Sequence, residues 1–167
     1  MRMEADMGVI MDIVAIDEVY REQVDGVIKK AWAGPIIVTK GNAIDASKCL
    51  GFVAVLDGEM KGCITYHIKG DACEIMTLNS FSENQGIGSA LIRAVLDAAK
   101  QAGCLRAWLI TTNDNTNAIR FFQRFGFSLV AVHLNALDRS RELKPAIPKT
   151  GIDEIPLLHE FEFEVRL

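Results

Sequence analysis

The sequence predicts a single α+β domain, and three observations carry that reading. The chain has 167 residues, the size of one ordinary domain. Strand-like runs cluster as a meander in the first half with no helix between them. After Ser80 the apolar period changes, and Ile87, Leu91, Ile92, Val95, Leu96 and Ala99 recur at helical spacing.

Taken in order, Gly8 to Ile16 reads as the first strand, and Asp17 caps an amphipathic helix to about Ala33 that ends at Gly34-Pro35. Ile36 to Lys48 reads as an irregular stretch with a turn signal at Gly41-Asn42. Leu50 to Leu56 and Met60 to Ile68 are strands joined at Asp57-Gly58, a strong hairpin cue. Ala72 to Leu78 follows the Gly70-Asp71 turn and completes the meander. The helix after Ser80 closes at Gly103. Leu105 to Thr111 is an apolar strand expected to be buried on both faces. Asn117 to Phe125 is a short aromatic-rich helix ended by Gly126, and Phe127 to Leu134 is another strand. Asp138 to Pro156 holds Pro145, Pro148 and Pro156, with a helical turn at Arg139 to Leu143. Phe161 to Leu167 alternates apolar and polar and forms the last strand.

Composition removes several function classes. Half the residues are hydrophobic and 24% are charged, ordinary values for a globular chain. No apolar run approaches the ~20 residues of a bilayer span, so no membrane role is expected. Met1 to Asp12 mixes Arg2, Glu4, Asp6 and Asp12 with methionines, unlike a signal peptide, and a cytoplasmic location is expected. The net charge is −4 and the basic residues are scattered, which argues against a nucleic-acid partner. Cys49, Cys63, Cys73 and Cys104 form no CxxC pair, and His67, His133 and His159 are not paired either. No metal is expected, and the cysteines read as reduced, buried thiols.

The chemistry is concentrated in Gln85-Gly86-Ile87-Gly88-Ser89-Ala90-Leu91, between a strand and a long helix. Closely spaced glycines let backbone approach a ligand, and a helix start offers unpaired N–H groups and the positive end of its dipole. Together they make an anion site suited to a pyrophosphate. The NTPase phosphate loop needs Lys before Ser or Thr after the last Gly, and Ser89-Ala90 stands here. The dinucleotide fingerprint needs a third Gly where Leu91 stands. Both fit poorly.

A second segment follows the next strand: Thr111-Thr112-Asn113-Asp114-Asn115-Thr116-Asn117-Ala118-Ile119-Arg120-Phe121-Phe122-Gln123-Arg124-Phe125-Gly126-Phe127. With the glycine loop, it resembles the GCN5-related N-acetyltransferases, the GNAT family. These pair a glycine loop before a long helix with a later Asn, Ala, aromatic, Gly-Phe pattern. The resemblance covers nearly the whole chain. It implies the acyl-CoA N-acyltransferase fold over residues 1–167: a mixed, mostly antiparallel sheet, helices on both faces, and fourth and fifth strands that are parallel and splay apart.

The resemblance also implies acetyl-CoA as co-substrate, with its pantetheine arm between Glu74–Leu78 and Trp108–Thr111. Backbone at Met76 and Leu78 would hold the arm. The Leu78 amide would polarise the thioester carbonyl. Amides of Gln85, Gly86, Ile87, Gly88, Ser89 and Ala90 would take the pyrophosphate. Asn115, Ala118 and Phe122 would line the thiol end, although Asn115 is equally readable as a helix cap. Glu74 would be the base, working through water. It is equally readable as a strand residue on a solvated face or paired with a Lys. The acceptor would be a small-molecule amine or an exposed amino group, contacted by Trp32 to Lys40 and Asp138 to Pro156. Arg139 and Lys144 in the latter read as solvated. A homodimer is compatible with the resemblance.

Two positions depart from the family pattern. Glu83 stands where Gln or Arg usually opens the loop, leaving Asn84 or Gln85 to supply the polar contact. Phe121-Phe122 stands where Phe-Tyr is common, so the expected proton donor to the departing thiolate is missing. General-acid help is typically ~10²–10⁴-fold, so the loss slows such an enzyme without abolishing it, and a hydroxyl such as Thr111 could supply part. The rival reading is a non-catalytic acyl-CoA-binding module.

Overall fold

A computed structural model describes residues 2–5, 9–82 and 85–167. The expectations on Gly8, Glu83 and Asn84 lie outside the described residues. The strands are β1 (Arg2–Ala5), β2 (Val9–Ala15), β3 (Ile36–Thr39), β4 (Asn42–Asp45), β5 (Leu50–Leu56), β6 (Glu59–Lys69), β7 (Ala72–Ser80), β8 (Arg106–Thr112), β9 (Ser128–His133) and β10 (Glu160–Arg166). The helices are α1 (Glu18–Ala31), α2 (Ile87–Gln101), α3 (Thr116–Phe125) and α4 (Ala136–Leu143).

Eight strands form one sheet in the order β1-β2-β5-β6-β7-β8-β10-β9, and β3 pairs with β4 in a separate hairpin. Within the large sheet every pairing is antiparallel except β7 with β8. Two hydrophobic clusters occupy its two faces, because alternate residues of a strand point to opposite sides. On one, Ile64, Cys73, Ile75 and Leu109 pack with Leu91, Val95 and Phe122 of α2 and α3. On the other, Val53, Cys63 and Met76 pack with Val24 and Ile28 of α1. Helices on both faces and one parallel pair agree with the expected architecture.

The differences are local. β1 extends the sheet beyond the expected first strand. The supposedly irregular Ile36–Lys48 contains the β3–β4 hairpin, whose turn residues Lys40 and Gly41 have φ of 49° and 73°. The β8 strand is not buried on both faces: Ala107, Leu109 and Thr111 are buried, whereas Arg106, Trp108, Ile110 and Thr112 are partly exposed. The last strand inserts between β8 and β9, so β8 receives a neighbour from the far end of the chain. All four cysteines are buried free thiols.

Two glycine-dependent features seat α2. A Cβ on Gly62 would lie 2.7 Å from Ile87 Cγ2 and 2.8 Å from Asn79 O, so only glycine lets the first turn of α2 sit so close to β6. Gly86 precedes the helix with φ 71°, a left-handed conformation natural to glycine.

Candidate active site

The parallel pair is short. Residues Ala72, Cys73, Glu74 and Ile75 of β7 pair with Arg106, Ala107, Trp108 and Leu109 of β8, and there the pairing stops. Both strands continue, to Ser80 and Thr112, with their facing edges apart. The cause lies in β7. Its register against β6 passes from Thr77 opposite Thr65 to Ile75 opposite Tyr66, leaving Met76 as an extra residue. Such a bulge bends and twists the strand that carries it. The wedge so opened is a cleft of about 1270 Å³, lined on one side by Met76, Thr77 and Leu78 and on the other by Leu109, Ile110 and Thr111.

At the mouth stands the start of α2. The Gly86 cap makes no side-chain hydrogen bond to the helix, and the first intrahelical bond runs from Ala90 N to Gly86 O. The N–H groups of Ile87, Gly88 and Ser89 therefore have no intrahelical acceptor. Gly86, Ile87, Gly88 and Ser89 line the cleft. Ala90 is buried with its N–H already used, so it drops out of the expected set of anion-binding amides. Gln85 is exposed and not among the lining residues. A Cβ on Gly86 would meet nothing within 4 Å, and one on Gly88 would lie 3.3 Å from Phe121. The cradle thus has room for a phosphate against bare backbone.

Asn115, Ala118 and Phe122 line the cleft from the α3 side. Asn115 Oδ1 accepts from Ala118 N at 3.1 Å and caps α3, so its carbonyl is committed to the helix. Phe122 is buried among Phe121, Phe127 and Phe163, and has no hydroxyl to offer.

Glu74 does not line the cleft. It is buried behind it, where the Thr39 hydroxyl donates to Oε1 at 2.6 Å. Burial raises its carboxyl above the ordinary 4.5, opposed by the Thr39 hydrogen bond and the Lys40 charge and reinforced by Glu160 and Glu162. Lys40 Nζ lies 3.1 Å from Glu162 and 4.9 Å from the centre of the Trp108 ring. His133 Nε2 is 2.8 Å from the same carboxylate oxygen, Oε2. Burial works to raise Glu162, but the hydrogen bonds and charges of His133 and Lys40 outweigh it and hold the group below 4.5.

The two segments expected to face an acceptor meet each other. Lys144 Nζ donates to Trp32 O at 2.5 Å and Ile36 O at 2.6 Å, so Lys144 is a clasp and not a solvated loop residue. Its desolvation lowers its pKa from 10.5. Trp32 in turn lines the cleft and donates from Nε1 to Asn79 Oδ1 at 3.2 Å.

Sequence reasoning gave no role to Asn113 and Asp114, which anchor the long loop before β10. Asn113 Oδ1 accepts from the backbone of Leu158 and His159, each at 2.9 Å. Buried Asp114 accepts from Ile152 N at 2.9 Å and from the Thr112 hydroxyl. Replacing Asp114 with Ala strands these donors and is expected to lower unfolding free energy by about 2 kcal/mol in urea titration.

Residues 15–127 match the Acetyltransferase (GNAT) family. The chain belongs to that family. This GNAT chain is 41% identical over 155 residues to the uncharacterized protein YdhI of Bacillus subtilis, covering 92% of this chain and 97% of YdhI. Its fold is similar to that of a GNAT family acetyltransferase from Elizabethkingia anophelis crystallised with acetyl-CoA bound, at TM-score 0.68 and 16% identity over 94% of this chain and 98% of that one. It is likewise similar to a Bacillus subtilis acetyltransferase in complex with CoA, at TM-score 0.69 and 14% identity over 94% and 99% of the two chains. Among the described residues no cluster of His, Cys, Asp or Glu could hold a metal ion, and no helix is long and apolar enough to cross a membrane.

Proposed function

We propose that this GNAT protein transfers an acetyl group from acetyl-CoA to the amino group of a small molecule or an exposed amine, by direct attack within a ternary complex. The observation that supports it most is the parting of β7 and β8 beyond Ile75 and Leu109, with the uncapped start of α2 at the mouth of the gap. The unpaired edge of β7 from Met76 to Leu78 is suited to hold an extended amide-bearing arm as a further strand would be held. The free amides at Ile87, Gly88 and Ser89, together with the helix dipole, suit a pyrophosphate. A backbone N–H at Leu78 would polarise the thioester carbonyl. The solved neighbours bound to acetyl-CoA and CoA agree with this cofactor.

An alkyl ammonium has a pKa near ~10 and must lose a proton before it attacks. Glu74 would act as the base through an intervening water, since it lies behind the cleft wall. Its raised carboxyl pKa brings it closer to the range where a base is effective at neutral pH. The reading is tested by free-thiol release from acetyl-CoA over a panel of amines. Binding without turnover above hydrolysis across a broad panel overturns it in favour of a non-catalytic acyl-CoA-binding module, the reading that the missing hydroxyl of Phe122 favours.

Glu74→Gln separates the two demands on this residue. Turnover is expected to fall about 10²-fold with acetyl-CoA affinity unchanged, since the base is lost and the cleft lining is not. Stability should move the other way. A carboxyl whose folded pKa is raised stabilises the fold fully below its unfolded value of 4.5, and that contribution is lost as pH rises through the folded value. At pH 7 the variant should melt at or above the parent, with the advantage gone below pH 4.5; a melting point lowered at pH 7 refutes this.

A further inference from the structure

Thr111 carries a hydroxyl for which the fold has no partner. It is 8% exposed, and among the described residues its side chain makes no hydrogen bond. Several other buried or half-buried hydroxyls of the fold are engaged: Thr39 with Glu74, Thr65 with Thr77, Thr112 with Asp114 and Ser140 with Glu160. Its Oγ1 is not among the fully buried unsatisfied atoms, so the hydroxyl keeps access to the cleft, where valine would fill the same space with no donor to offer. The position accounts for this. Thr111 lies two residues beyond Leu109, the last residue of β8 to pair with β7, and on the same strand face. It lines the cleft, as Asn115 and Phe122 do. Its own strand is held on the other edge by Phe161 of β10, so the hydroxyl sits on a supported element.

We infer that the Thr111 hydroxyl donates a hydrogen bond to the sulfur of CoA and stabilises it as the thiolate. This rests on the acetyl-CoA reading above. In the transfer step the acceptor nitrogen bonds to the thioester carbon, the carbon–sulfur bond breaks, and its electron pair stays on sulfur. The proton lost by nitrogen passes to water or the base, and Thr111 keeps its own proton while donating the bond. The strand then supplies what Phe122 on the helix lacks. A hydrogen bond to a charged group is worth enough to move a thiol pKa by about one unit or more.

The test needs no acceptor. CoA is titrated with alkali on the parent protein, Thr111→Val and Thr111→Ser, following thiolate absorbance as a difference from CoA-free protein, with affinity measured by calorimetry at pH 7. The bound thiol is expected to titrate at least one unit higher on Thr111→Val than on the parent, and near the parent value on Thr111→Ser. The isosteric valine should melt at or above the parent temperature, as fits the removal of an unpaired hydroxyl. Equal thiol pKa values on all three proteins, with CoA bound to each, overturn the role of Thr111 and leave the cofactor reading intact. A lowered melting point for the valine variant overturns it too, by revealing a structural partner. Failure of the parent to bind CoA overturns the cofactor reading and this inference together.

Discussion

Replacing Gly86 with glutamate is expected to weaken acetyl-CoA binding by at least ~100-fold, the largest functional effect of any single change at the cleft mouth. Ile87, Gly88 and Ser89 present N–H groups that the helix leaves unpaired, directly after a residue with bare backbone. Hydrogen bonds to a charged group contribute about 1.5–3 kcal/mol each, and losing two accounts for that factor. Glutamate also places a negative charge where a doubly charged group would lie, and a side chain at φ 71° adds backbone strain of about 1 kcal/mol. Gly86→Ala separates these contributions. Its Cβ meets nothing within 4 Å, so it should carry only the backbone strain and retain most affinity. Calorimetric titration decides the matter: affinity of Gly86→Glu within threefold of the parent removes the start of α2 from the cofactor site.

Legibility in the sequence followed the range of the interactions. The meander and α2 are governed by local period and by turn residues such as Asp57-Gly58, and both could be read directly. The β3–β4 hairpin was missed because its strands have four residues each and its turn begins with Lys40, a residue seldom found at positive φ. The apolar run of β8 hid its alternation. Trp108 is apolar in composition yet sits on the polar face beneath Lys40. The insertion of β10 between β8 and β9 is a non-local pairing that no local pattern announces.

The site divides in the same way. A backbone anion cradle must be written in glycine and helix-start positions, so Gly86 and Gly88 were visible. The environment of Glu74 was not, because Thr39 reaches it from 35 positions away. The neighbouring contact of Lys40 N with Glu160 spans 120. Asn115 could be read as cap or as ligand contact, and its bond to Ala118 N shows the capping role directly. The missing tyrosine at Phe122 was plain in the sequence; the unpaired state of Thr111 became visible only once the side-chain hydrogen bonds of the fold could be traced.

Phe163→Ala is expected to cost about 3–5 kcal/mol of stability and to weaken CoA binding with it. Phe163 is fully buried and sits opposite Leu109 on one side and Leu129 on the other. Its ring lies 6.5 Å from that of Phe122. Truncation removes the transfer energy of a large ring and leaves a cavity that the flanking strands can close only in part. The location makes the effect functional as well. Beyond Leu109, β8 has β10 as its sole strand neighbour among the described residues, so the wall of the cleft that carries Thr111 depends on β10 for support. Loss of Phe163 lets Leu109 and Phe122 relax toward the new void, and the gap between β7 and β8 loses its shape. Both effects are measured on one protein, by urea denaturation and by calorimetric titration with CoA. A core role without a cleft role predicts lowered stability at unchanged affinity. A loss below 1 kcal/mol would show that the sheet is supported elsewhere and that β10 does not hold the wedge open.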